Sequence, residues 1–90
     1  MSSRYQKAFV LVKTQSGHTE EVLDNLLKIE DVKEVHVVPG EWDLMAVVEV
    51  EKGIVAPGSE KVGRLVMNQI GKTSHVSDTN TMVAHFSRTK

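Results

Sequence analysis

Residues 35–50, V-H-V-V-P-G-E-W-D-L-M-A-V-V-E-V, decide the fold. Val35–Val38 and Leu44–Val50 are apolar runs rich in β-branched side chains, which suit a pleated strand surface. Between them sits Pro39-Gly40-Glu41-Trp42-Asp43. Proline presets φ at the first central position of a turn, and glycine accepts the positive φ that a type II turn needs next. The stretch therefore predicts two antiparallel strands joined at a tight corner. The chain's one tryptophan and an acidic residue stand together at that corner.

Upstream, Lys7–Lys13 carries A-F-V-L-V and reads as the first strand. Ala8, Val10 and Val12 form one side and Phe9 and Leu11 the other, so both faces are apolar, the pattern of a strand covered twice. Gln15-Ser16-Gly17-His18 breaks the run. A helix fits from about Thr19 to Ile29, with Val22, Leu23, Leu26, Leu27 and Ile29 on one stripe. Glu20 and Glu21 fall in its first turn, where the positive end of the helix dipole favours them.

Downstream, Gly53, Pro57 and Gly58 argue for a loop over 51–59, in which Ile54 and Val55 either pin the loop down or touch a partner. A second helix fits Glu60–Ile70, with Val62, Leu65, Val66 and Ile70 inward, Ser59 as N-cap and Gly71 as the left-handed residue that closes it. Lys72–Asn80 is polar, and Thr81–Ser87 reads as the last strand. The order β-α-β-β-α-β implies an α+β, ferredoxin-like domain: a four-stranded antiparallel sheet with two helices on one face.

Ninety residues allow one domain, expected to span 1–90. A net charge of −1 gives no electrostatic ground for binding nucleic acid or an anionic membrane. The absence of cysteine excludes disulfides, thiolate metal sites and thiol nucleophiles. No secretory leader is visible, and no apolar run approaches the length of a bilayer-spanning helix. The expectation is a cytoplasmic protein without a membrane partner.

Two helices cover only one sheet face, yet every strand is apolar on both parities. Leu44, Ala46, Val48 and Val50 stand against Met45 and Val47, and Met82, Ala84 and Phe86 against Val83. At ~50–100 Å² each, six outward groups would expose on the order of 300–600 Å², the upper end for a monomer. A sheet-to-sheet homodimer is expected.

Gly40-Glu41-Trp42-Asp43 is the first candidate site. Turn N–H groups can hold a carboxylate and Asp43 can receive an ammonium group, which together suit a zwitterion such as a free amino acid. Trp42 can close the pocket or pack on a neighbouring subunit. The ordinary alternative is a tight hairpin whose Asp43 bonds within its own turn. The residues alone favour it, because turn motifs are common. Thr79-Asn80-Thr81, at the entrance to the last strand, either completes a polar pocket or is plain strand-start chemistry.

Of the histidines His18, His36, His75 and His85, no two have the spacing that puts a pair of imidazoles on one ion. A copper- or zinc-binding oligomer using His36, His75 or His85, with Met45 or Met82 as thioether ligands beside His36 and His85 should the ion be copper, is the second reading. A small ferredoxin-like enzyme is the third. It lacks a nucleophile motif, a phosphate loop or a paired acid and base, so no catalytic residue and no cofactor is assigned.

The run E-V-H-V-V-P-G-E-W-D-L-M-A-V-V-E-V, with A-F-V-L-V-K-T near the start, I-E-D-V-K-E-V after the first helix and I-G-K-T-S-H-V-S-D-T-N-T-M-V-A at 70–84, resembles the effector-binding (RAM) domain of the Lrp/AsnC, or feast/famine, regulators. The resemblance implies the β-α-β-β-α-β fold and sheet-to-sheet dimers, often in rings of four dimers. It also implies amino-acid effectors held between subunits near the hairpin. The matching contacts are Gly40, Glu41, Trp42 and Asp43, with Thr79 and Thr81, and this moves the corner from the ordinary reading to the favoured one. Full-length members carry a helix-turn-helix that reads DNA. Here the first strand starts at Lys7, so the chain resembles the stand-alone form. It is expected to regulate without specific DNA binding of its own, by co-assembly with full-length regulators. Pro39 and the longer 53–59 loop depart from the family pattern.

Overall fold

A computed structural model describes residues 4–53 and 57–90. Its elements run β1 (Tyr5–Thr14), α1 (Thr19–Leu27), β2 (Val32–Val37), β3 (Leu44–Glu51), α2 (Gly58–Leu65) and β4 (Val76–Val83). A π-helical turn, Val66–Ile70, extends α2. The four strands form one antiparallel sheet in the order β2-β3-β1-β4, the ferredoxin-like arrangement. Ile54 and Val55 lie outside the described residues.

Register sorts the side chains, since directly opposed residues share a face. Val12 faces Leu44, Val10 faces Ala46 and Ala8 faces Val48. All six are fully buried, against Val22 and Leu26 of α1 and Val62, Leu65 and Ile70 from α2 and its π turn. The other parity pairs Phe9 with Val47 and with Met82, and Leu11 with Met45 and with Asn80. No element of the described chain covers this second face. Its rim is charged: Lys7 lies 3.9 Å from Glu49 and Arg4 3.7 Å from Glu51.

The open face is less greasy than its residue types promise. Met82 and Tyr5 are each 46% exposed, but Phe9, Leu11 and Met45 are only partly open, and Val47 is 7% exposed. Neighbouring side chains lean on one another across the pleat. The apolar area left open is on the order of 200–300 Å², not the larger patch expected from one extended side chain at a time.

Several boundaries differ from the sequence reading. Pro39-Gly40 does not make a tight type II corner. Residues 38–43 form a wider loop, closed by the Val38 N–H donating to the Asp43 carbonyl at 3.0 Å, and Gly40 has φ +139°, beyond the type II value. The type II geometry instead fits Gln15–His18, where Gly17 has φ +85° and the His18 N–H donates to the Gln15 carbonyl at 3.1 Å. In α1, Leu27 is 47% exposed, whereas Ile29 packs on the core from beyond the helix end.

Pro57, not Ser59, is the N-cap of α2. Gly71 is not left-handed: its φ is −66°. It is needed for a different reason, because its N–H donates to the Val66 carbonyl at 2.7 Å and a Cβ would lie 2.9 Å from that oxygen. The last strand is Val76–Val83 rather than Thr81–Ser87, so His85 and Phe86 fall beyond it.

Candidate functional site

The corner Gly40–Asp43 is bolted to the sheet through its last residue. The Asp43 N–H donates to the Val12 carbonyl at 3.1 Å, continuing the β1–β3 ladder. One carboxylate oxygen of Asp43 accepts the Thr14 N–H at 2.8 Å and lies 3.3 Å from the Thr14 hydroxyl. That hydroxyl lies 2.9 Å from the Thr19 hydroxyl at the start of α1. Asp43 therefore braces the end of β1 instead of bonding within its own turn. Its second carboxylate oxygen makes no hydrogen bond among the described residues.

Trp42 is half-buried, with the Lys13 ammonium 5.4 Å from its ring centroid, a cation–π contact. Gly40 and Glu41 are exposed. Among the described residues no hydrogen bond engages the N–H of Gly40, Glu41 or Trp42. The loop thus presents free donors beside a cation-stacked ring and a half-used carboxylate.

Thr79 and Thr81 do not join this corner within one chain. They lie inside β4, not at its entrance, opposite Val12 and Val10 on the helix-side parity. The corner continues from Leu44 on the other side of Val12. Strand β1 separates the two, so they are about 10 Å apart at two strand spacings. The Thr79 N–H is donated to the Asp78 carboxylate at 2.8 Å.

The histidines of the second reading are not gathered either. His36, on the open face opposite Met45, bonds Glu34 at 2.9 Å. His85 stands edge-on to Phe86. His75 stacks on His18 with ring centroids 3.6 Å apart and planes 10° from parallel. Glu21 lies beside the stacked pair, its Oε1 3.5 Å from His18 Nδ1 and its Oε2 3.5 Å from His75 Nε2. The sequence reading missed this group. His18 and Glu21 are three apart at a helix start and so share a face, but nothing in the sequence brings His75 to them.

A cleft of about 330 Å³ lies between α2 and the far end of β3, lined by residues including Asp31, Glu51, Lys61, Arg64 and Gln69. Its cations are engaged: Lys61 donates to the Glu51 carbonyl at 2.8 Å and Arg64 to Glu60 at 2.9 Å. None of the residues singled out at the corner lines it.

Against this geometry, residues 7–88 match the family model of the Lrp/AsnC ligand binding domain. The chain belongs to the Lrp/AsnC family. An uncharacterized HTH-type transcriptional regulator of Pyrococcus furiosus is 39% identical over 80 residues, covering 86% of this chain and 49% of that protein. The chain thus spans about half the length of the curated relatives it matches. Among solved structures, Pyrococcus horikoshii protein PHS023 is 32% identical, with TM-score 0.74 over 91% of this chain and 92% of that one. TTHA0845 from Thermus thermophilus is 25% identical, with TM-score 0.79 over 94% and 99%.

The same fold recurs at greater distance in two regulators solved with L-methionine. The one from Neisseria meningitidis is 14% identical, with TM-score 0.76 over 94% of this chain and 53% of that one. The one from M. tuberculosis is 20% identical, with TM-score 0.75 over the same shares. The expected fold and family are thus those found. Among the described residues no helix is long and apolar enough to cross a membrane.

Proposed function

We propose that this Lrp/AsnC chain is an oligomerising effector sensor, without enzymatic activity. Two copies close sheet against sheet, and a small zwitterion, an amino acid, binds at the subunit boundary beside Gly40, Glu41, Trp42 and Asp43. The observation that carries this reading is the uncovered sheet face built on Phe9, Leu11, Met45, Val47 and Met82. Phe86, 73% exposed just past β4, is a further open apolar group that a partner could cover. With Phe86 included, roughly 400 Å² of apolar surface per copy would be buried. At ~25 cal/mol per Å² that is about 20 kcal/mol for the pair. Association costs ~4–15 kcal/mol and more, so burial exceeds the cost by a small margin and the charged rim sets the register.

Thr79 and Thr81 stand across β1 from the corner and share the helix-side parity, away from the sheet-to-sheet contact, so the proposed site is built on the corner residues without them. Higher assembly into a ring of four dimers is the family-type extension of the same contacts. The two methionine-bound relatives support an amino acid as the ligand class. The near-complete overlap with PHS023 and TTHA0845 supports a folding unit of this extent, and co-assembly with full-length regulators is the proposed route by which it acts.

Sedimentation at micromolar concentration tests the first step, and a monomer there ends the proposal. Calorimetry against the twenty amino acids, with Glu41→Ala and Trp42→Ala as controls, tests the second. Saturable binding lost in both variants is the expected result; the absence of binding at millimolar ligand leaves an assembly role alone.

A further inference from the structure

We propose that His18, Glu21 and His75 form a binding site for a divalent transition-metal ion of the zinc class. The three side chains come from two places, the start of α1 and the loop before β4, and their ligand atoms all lie within 4.8 Å of one another. Two imidazoles and a carboxylate are a donor set that zinc accepts, with the fourth position left to water.

The distances suit an ion held by the three groups. Each histidine nitrogen stands 3.5 Å from a Glu21 oxygen. A charge-assisted N–H···O bond would close to about 2.7–2.9 Å. Ligand atoms around a tetrahedral ion with bonds of about 2.0–2.1 Å sit about 3.4 Å apart. Each gap, to Oε1 from His18 and to Oε2 from His75, is wider than a charge-assisted hydrogen bond, and the ligand atoms, within 4.8 Å of one another, draw in by up to about 1.4 Å as an ion enters.

The tautomer points the same way. His75 Nδ1 lies 2.9 Å from the Gln15 side-chain oxygen, an acceptor, so the ring N–H is donated there. That leaves Nε2 as the ring atom turned toward a Glu21 oxygen, where a bound cation would take its lone pair. An outer N–H given to a carbonyl is also how metal-bound histidines are oriented.

The backbone holds this pose at a cost. His75 is the only described non-glycine residue with positive φ, at +69°. The Gln15 N–H donates to the His75 carbonyl at 2.9 Å, so Gln15 grips the residue from both main chain and side chain. Strain of this kind persists where the surroundings impose it. The rings are stacked, and parallel rings point their lone pairs side by side, so one ring turns about its Cβ–Cγ bond as the ion enters. Both side chains are about one-third exposed, 38% for His18 and 32% for His75, which leaves room for that rotation.

The test uses the full chain, freed of metal by chelator and titrated with Zn²⁺ by calorimetry. One ion per chain with micromolar affinity is expected. Glu21→Gln, His18→Ala and His75→Asn each weaken binding at least about tenfold. Asparagine tolerates the left-handed backbone at 75, so His75→Asn removes the ligand without removing the fold. His36→Ala and His85→Ala leave the affinity unchanged. In proton NMR of the wild-type chain, Zn²⁺ moves the imidazole signals of His18 and His75 and leaves those of His36 and His85 in place. This readout does not depend on any variant folding. No saturable binding, binding that survives His75→Asn, or shifts confined to His36 or His85 would each overturn the site.

Discussion

Asp43→Ala is the perturbation that separates a ligand-binding carboxylate from a structural brace. Asp43 accepts the Thr14 N–H at 2.8 Å in a partly buried setting. A hydrogen bond to a charged group is worth ~1.5–3 kcal/mol net, and removing the acceptor also leaves the Thr14 N–H unpaired. A loss of about 2–3 kcal/mol is expected. At ~4–8 °C per kcal/mol for a domain of this size, that lowers the melting temperature by roughly 10–20 °C. Asp43→Asn keeps one carbonyl oxygen and should lose about half as much. Thr14→Ala keeps the main-chain bond but gives up the 3.3 Å contact to Asp43 and the 2.9 Å contact to the Thr19 hydroxyl, and should cost about 1–2 kcal/mol. The assay is thermal unfolding at one fixed protein concentration, because association shifts the midpoint. If Asp43→Ala melts with the wild type yet loses amino-acid binding, the brace is wrong and Asp43 is a ligand contact alone. If it melts far below, loss of binding in that variant says nothing about contact. Glu41→Ala and Trp42→Ala are then the informative controls.

Other residues give sharper local outcomes. Met82→Glu places a charge at the most open apolar position inside the sheet face, and sedimentation should show the dimer shifted to monomer, while Val83→Glu on the opposite parity should leave it associated. Gly71→Ala forces a Cβ against the Val66 carbonyl and should destabilise by ~1–3 kcal/mol in denaturant unfolding. Gly40→Ala meets no neighbouring atom, so its cost, ~1–3 kcal/mol from the φ of +139°, comes from the backbone alone. An unchanged midpoint there would mean the corner can be redrawn without strain.

The core was legible because alternation is a local signal. Ala8, Val10 and Val12 announce one face and Phe9 and Leu11 the other, and register only confirms which is covered. The last strand was not legible in the same way. Ser77, Asp78, Thr79 and Asn80 are polar and fell outside the expected strand, because an edge strand in this chain needs no apolar alternation. What makes Val76–Val83 a strand is the ladder offered by β1, and that depends on tertiary contact. The corner misled for a related reason. Pro39-Gly40 satisfies a type II turn on paper, but the Asp43 N–H is claimed by Val12, and that anchor widens the loop. The role of Asp43 could not be read at all, since its partner Thr14 lies 29 positions away. Leu27 was misplaced because a helical stripe predicts which side is apolar, not how wide the sheet beneath it is.

The end of β1 joins the corner to the histidine group. Lys13 lies over Trp42, Thr14 holds Asp43 and Thr19, and Gln15 holds His75 at two points. The β1–β4 register also shifts between Lys13 and Thr14, so the strand is already irregular where these contacts diverge. Three consecutive residues thus tie the corner, the start of α1 and the loop before β4 into one junction. Asp43 is fixed by that junction, and the part of the corner left free to answer a ligand is Gly40, Glu41 and the Trp42 ring. A ligand that draws Trp42 away from Lys13 frees a cation one residue from the brace. An ion held by His18, Glu21 and His75 would stiffen the same junction from its other side.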